Sequence, residues 1–111
     1  MGPSQEPALV VLSVRDGRPA IRGECEMSNA TAIEAWLTGF DVEPLDVDLS
    51  GVTFFDSTAL RAVLNARRRN QHFRIVNPSQ KVLHVLEITG TVEYLVDVGT
   101  SSRSRWNAAP S

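Results

Sequence analysis

Residues 56–58 read Asp-Ser-Thr, directly after Phe54-Phe55 and directly before an apolar pattern of helical spacing. Two kinds of chemistry fit that placement. An aspartate there can cap a helix by accepting a first-turn N–H. A serine or threonine hydroxyl at a helix N-terminus can also carry a phosphoryl group, because the backbone N–H groups and the helix dipole favour an anion. One capping residue is enough for a helix, so capping by Asp56 leaves Ser57 and Thr58 without a role. On the residues alone, the cap and the switch both stand.

Other chemistry is poorly supplied. Neither GxGxxG nor GxxxxGK[ST] is present, so no glycine-rich loop cradles a phosphate. His72 and His84 are twelve residues apart with no Cys or carboxylate at ligand spacing, which predicts no metal site and no bound cofactor. Ser57 lacks the flanking glycines of a GxSxG elbow, and a Ser-His-Asp triad has no pattern to support it. A phospho-aspartate receiver needs clustered acids for Mg²⁺ and a lysine facing the phosphate. Here the first strand ends Ser13-Val14-Arg15, and the only lysine is Lys81. The chain therefore reads as a non-enzyme.

Composition narrows the partners. With 111 residues, 42% apolar and 22% charged, the chain is one ordinary globular domain that can bury a core without metal or disulfide. A net charge of −2 gives no reason to expect direct nucleic-acid binding. The Arg67-Arg68-Arg69 run falls at a helix C-terminus, where cations suit the dipole. A lone cysteine, Cys25, excludes an internal disulfide and reads as a small buried thiol at a strand end. No apolar run approaches the roughly 18–20 residues of a membrane span, and no signal-peptide layout opens the chain. The expected setting is cytoplasmic, without membrane insertion.

The elements that must position residues 56–58 alternate along the chain. ALVVLSV (8–14) and PAIRG (19–23) flank Asp16-Gly17, a hairpin signal. Ser28 or Asn29 is expected to cap a helix whose stripe is Ile33, Trp36, Leu37 and Phe40, with Gly39 at its end. LDVDL (45–49) alternates strictly, predicting a strand with one packed face and one wet face. The helix after Asp56 carries Ala59, Leu60, Val63 and Leu64 on its apolar stripe. HFRIV (72–76) predicts a further strand, Asn77-Pro78-Ser79 the opening of a third helix with proline near its first turn, and Gly90 its end. EYLVDV (93–98) is expected as a fifth strand. The class is α/β: one small domain over residues 8–98, with a mixed, mostly parallel sheet and helices mainly on one face. Residues 1–7 and 99–111 are expected to be flexible ends.

DLSGVTFFDSTAL followed by NPSQKVLHVLEITG resembles the STAS domain of bacterial anti-sigma-factor antagonists. Members run D-L-S-x-[VL]-x-[FY]-[IMLF]-D-S-[ST]-G-L, then N-P-S-x-x-V-x-x-[LV]-L-x-x-[ST]-G, and GECE (23–26) is similar to their G-E-[LI]-D. The resemblance implies that Ser57, rather than the neighbouring Thr58, is phosphorylated by an anti-sigma factor that is itself a serine kinase. It implies that the unphosphorylated antagonist binds this kinase and frees a sigma factor, and that a metal-dependent serine phosphatase resets it. Glu26, Asp56, Thr58, Ala59 and Arg61 then fall at the expected partner surface. Ala59 stands where the family has glycine and Glu26 where it has aspartate, and residues 99–111 lack the pattern of a fourth amphipathic helix. The alternative within the same resemblance is a scaffold that is never phosphorylated, or a regulatory subunit of a lipid-transporting ABC system. An Asp-Ser junction favours the phosphorelay.

Overall fold

The computed structural model describes residues 9–96. The expectations for residues 1–7 and 99–111 lie outside that range. Two strands, β1 (Val10–Arg15) and β2 (Arg18–Cys25), form an antiparallel hairpin. Asp16 and Gly17 both have positive φ, 54° and 77°, the conformation a two-residue turn needs to follow the twist of its strands. The helix α1 (Ala30–Thr38) follows, then the long strand β3 (Leu45–Phe55), α2 (Ser57–Arg69), β4 (Phe73–Pro78), α3 (Gln80–Thr89) and the single turn α4 (Val92–Leu95). The sheet runs in the order β1-β2-β3-β4, with β2, β3 and β4 mutually parallel.

The core lies between one face of this sheet and the helices. Leu45, Val47 and Leu49 of β3 are buried with Ile33 and Leu37 of α1, Leu60 and Val63 of α2, and Val82 and Leu86 of α3. Asp46, on the opposite face as its alternation predicts, is met by Arg74 at 2.6 Å and by Arg18 at 3.9 Å. The wet face is thus bridged by ion pairs across three strands.

β3 departs from simple alternation. Its pairing with β2 slips by one residue between Ala20 and Arg22 and again between Gly23 and Glu24, each time with the extra residue on β3. The buried residues consequently step from Leu49 to Val52 to Phe55, every third position rather than every second. Bulges of this kind twist and re-aim a strand. Here the first slip brings Val52 inward in place of Gly51 and Thr53, and the second restores the original parity, so Phe55 is inward and Phe54 is 49% exposed on the other side.

Three local expectations need correction. Asn29 occupies the N-cap position of α1 but makes no side-chain cap. Its Oδ1 instead accepts the Glu26 N–H at 3.0 Å, and its Nδ2 donates to the Glu24 carbonyl at 2.8 Å, closing the loop before the helix. Pro78 ends β4 rather than sitting in the first turn of α3; Ser79 is the cap and accepts the Val82 N–H at 3.2 Å. Because proline has no N–H, the ladder passes to Ser79, whose N–H reaches the Leu49 carbonyl at 3.2 Å.

The expected fifth strand at 93–98 is not one. After α3 closes on Gly90 in the left-handed conformation, Thr91 N–H reaches back to the Leu86 carbonyl at 2.9 Å, and residues 92–95 wind into α4. Helical spacing of three lets Val92 and Leu95 both meet the core, which an extended segment with period two would prevent. Of the described residues in this segment, Val96 alone pairs with the sheet, as a parallel bridge to Ile75; Asp97 and Val98 lie outside the described residues. Tyr94 stays half exposed under the Arg67 guanidinium, 4.5 Å from the ring centroid.

Leu95 is fully buried although it belongs to a four-residue helix. Leu95→Ala is therefore expected to cost about 2–5 kcal/mol in urea unfolding. A loss below about 1 kcal/mol would mean that α4 is not docked as described.

Candidate functional site

The junction between β3 and α2 is organised by one carboxylate. Asp56 is extended (φ −109°, ψ −175°), and its Oδ1 accepts the Ala59 N–H at 2.9 Å and the Thr58 hydroxyl at 2.6 Å. The same carboxylate takes N–H groups from Thr58 and Met27. Its backbone N–H donates to the Cys25 carbonyl at 3.3 Å, and its own carbonyl accepts the Leu60 N–H at 3.0 Å. Asp56 thus ties the end of β3, the first turn of α2 and the loop after β2 into one unit.

Partial burial alone would raise the Asp56 pKa, but hydrogen bonds from the Thr58 hydroxyl and from the Ala59, Met27 and Thr58 N–H groups outweigh it and hold the carboxyl below its ordinary value. Cys25 lies 1% exposed beneath the junction, the buried strand-end thiol its sequence context predicts. Burial first, and then the Asp56 charge, push its pKa up to about 12. It is a neutral, packed thiol and no nucleophile.

The two hydroxyls differ in a way their adjacency conceals. Thr58 spends its proton on Asp56 and is half buried. Ser57, the first residue of α2, is exposed, and among the described residues its hydroxyl has no hydrogen-bond partner.

The remaining expected partner residues divide as well. Arg61 is exposed one turn along α2 from Ser57, on the same helix face. Glu26 is half buried, and its Oε1 accepts the Ser28 N–H at 2.6 Å, so the carboxylate closes its own loop. Ala59 is 1% exposed. Its methyl packs in the core, away from the exposed Ser57 and Arg61 side chains. The apolar stripe of α2 already marked it for burial.

Sequence reasoning missed two exposed apolar side chains bordering the junction, Met27 at 74% and Phe54 at 49%. The adjacent phenylalanines held the signal for the second, because neighbours in a strand face opposite ways. Among the described residues, no three His, Cys, Asp or Glu side chains gather to hold a metal, and no helix is long and apolar enough to cross a membrane.

A family model described as Mlab, STAS domain, matches residues 12–97. The chain belongs to the STAS-domain family. Solved structures share the fold at low identity. An anti-sigma factor antagonist from Mycobacterium paratuberculosis is 19% identical, with a TM-score of 0.62 over 88% of this chain and 92% of its own. The anti-sigma factor antagonist SpoIIAA in its unphosphorylated form is also 19% identical, with a TM-score of 0.62 over 91% and 97%. A STAS-domain protein from Planctomyces limnophilus, described as an anti-sigma-factor antagonist, is 20% identical, with a TM-score of 0.56 over 78% and 86%. No curated protein matches the sequence. In this STAS domain, then, the sheet and its one-sided helices share the fold of those structures.

Removing the cap by Asp56→Ala is expected to cost about 0.5–2 kcal/mol at neutral pH. Because the folded carboxyl sits below its ordinary value of 3.8, its contribution is complete above that value and is lost as pH falls through the lower folded one. Urea unfolding from pH 7 downward should show a constant gap between wild type and variant above about pH 5, closing in acid. A gap that widened in acid would contradict the hydrogen-bonded carboxylate.

Proposed function

We propose that this STAS domain is an anti-sigma-factor antagonist of the cytoplasm. Its unphosphorylated form binds an anti-sigma factor with serine-kinase activity and so frees a sigma factor; phosphorylation of Ser57 ends that binding. The observation that carries the reading is the free, exposed Ser57 hydroxyl at the start of α2, beside a Thr58 hydroxyl already committed to Asp56. In the transfer, the Ser57 oxygen bonds to the γ-phosphorus of ATP, the β–γ bridging bond breaks, ADP leaves, and the hydroxyl proton passes to a base of the kinase. A metal-dependent serine phosphatase returns the hydroxyl by hydrolysis, releasing inorganic phosphate.

The phosphoryl group adds about 1.5–2 negative charges at neutral pH. The helix terminus favours it by about 0.3–1 kcal/mol when exposed, while ionised Asp56 next door repels it. The two effects are of similar size and opposite sign, so the fold is retained. At a protein interface, an unpaired buried charge costs several kcal/mol. Reversing a 99:1 occupancy takes about 5.5 kcal/mol, within reach of that penalty. Ser57 and Arg61 on α2, with the Glu26–Met27 loop beside them, make up the proposed contact surface, held in place by Asp56 and Thr58.

A second reading is a STAS subunit that regulates a lipid-transporting ABC system without being phosphorylated, the alternative that the family resemblance leaves open. The two separate on one experiment. Incubation with serine-kinase anti-sigma factors and ATP, followed by mass-spectrometric site mapping, is expected to place one phosphoryl group on Ser57. Ser57→Ala should abolish labelling without moving it to Thr58, and Ser57→Asp should lose kinase binding. Modification elsewhere, or a Ser57→Asp variant that binds as wild type does, would transfer support to the unphosphorylated scaffold.

A further inference from the structure

The two edges of the sheet are treated differently. Along β4, Val96 bridges Ile75 and covers part of the strand. Among the described residues, nothing pairs with the outer side of β1, which hydrogen-bonds only to β2 and keeps a regular register throughout. Sheet edges exposed to water are commonly guarded by lysine, proline or a bulge. The segment Val-Val-Leu-Ser-Val-Arg has none of these, and its single charge is at the end. Its side chains are also unusually bare: Leu9 is 79% exposed, Val11 49% and Val14 55%. Val14 is the informative one. By alternation it shares the helix-covered face with Val10 and Leu12, which pack on the core, yet no helix reaches it.

We propose that β1 pairs antiparallel with β1 of a second copy of this chain, in a register centred on Leu12. Two identical strands related by a two-fold axis are self-complementary, since each free N–H meets a free carbonyl of the other. This register sets Val10 opposite Val14 of the second copy on the helix side, and Val11 opposite Ser13 on the other. Leu9 falls opposite Arg15 of the second copy. The Glu24 N–H donates to the Leu9 carbonyl, so Arg15 of the second copy arrives at the end of the sheet where Glu24 is exposed. Arg15 of the second copy and Glu24 therefore lie at the same end of the joined sheet with Leu9 between them, and no like charges stand directly opposite. The Ser57 junction follows β3, two strands in from this edge, so it remains open in the dimer.

Sedimentation equilibrium of the full chain, from about micromolar to about millimolar concentration, should show a reversible monomer–dimer equilibrium. The double variant Val11→Lys, Val14→Lys places guards at two exposed positions. It is expected to weaken the dimer at least about tenfold, with circular dichroism and the urea midpoint unchanged. Register is read independently by oxidising a mixture of Val11→Cys and Ser13→Cys single variants, which should give the mixed disulfide in preference to either homodimer. A chain that stays monomeric throughout, or a dimer equally tight in the double lysine variant, would overturn the proposal. Preferred Ser13→Cys homodimers would overturn the register. None of these readouts depends on Ser57, so the result stands apart from the proposed phosphorelay.

Discussion

The arrangement of the junction depends on the hydrogen bonds collected by the Asp56 carboxylate. A half-buried carboxylate is costly unless donors surround it, and four converge here: three N–H groups and one hydroxyl. They come from two segments that are distant in sequence, the first turn of α2 and Met27 in the loop after β2. Stabilising the charge therefore also fixes the angle between strand and helix and the position of the loop. Because Asp56 does the capping, Ser57 is released from it, and because Thr58 donates to Asp56, only one of the two hydroxyls remains available.

Why Asp56 arrives there follows from the sheet. Helices cover one face, so β3 must keep an apolar side inward for its whole length. Strict alternation does so from Leu45 to Leu49, and the two slips against β2 then carry the inward side to Val52 and Phe55. Without them Gly51 and Thr53 would face inward in place of Val52, leaving the apolar side of the strand broken between Leu49 and Phe55. On the opposite face, Asp46 between Arg18 and Arg74 joins three strands by charge, which lets a polar surface remain ordered without a covering helix.

Features coded by neighbouring residues were legible in the sequence. The Asp16-Gly17 turn, the stripe of Ile33 and Leu37, the cap at Asp56 and the stop at Gly90 each require only a few adjacent side chains. Features decided by competition between distant segments were not. EYLVDV is rich in strand-forming residues, but the core offered a site that Val92 and Leu95 could fill together only from a helical turn. Asn29 resembled a cap until the loop from Glu24 to Glu26 claimed its amide. The slips in β3 show only as a break in alternation near Ser50-Gly51, with nothing local to say which strand takes the extra residue. The contrast between Ser57 and Thr58 likewise needs the direction of each side chain around Asp56, which adjacency does not give.

The same donor count bears on how a phosphoryl group at Ser57 could act. A bare helix N-terminus offers several unpaired N–H groups to an anion. Here the Thr58 and Ala59 N–H groups are already taken by the Asp56 carboxylate, and the Leu60 N–H by the Asp56 carbonyl. A phosphate on Ser57 would find little of the first turn left to bind, with a carboxylate beside it. To turn inward it would have to displace Asp56 and forfeit the cap, at about 0.5–2 kcal/mol, together with the tie to Met27. Facing water, it keeps its hydration and disturbs nothing. A phosphoryl group placed there would thus face outward, and a large effect of it would fall on a docked partner and not on the domain itself.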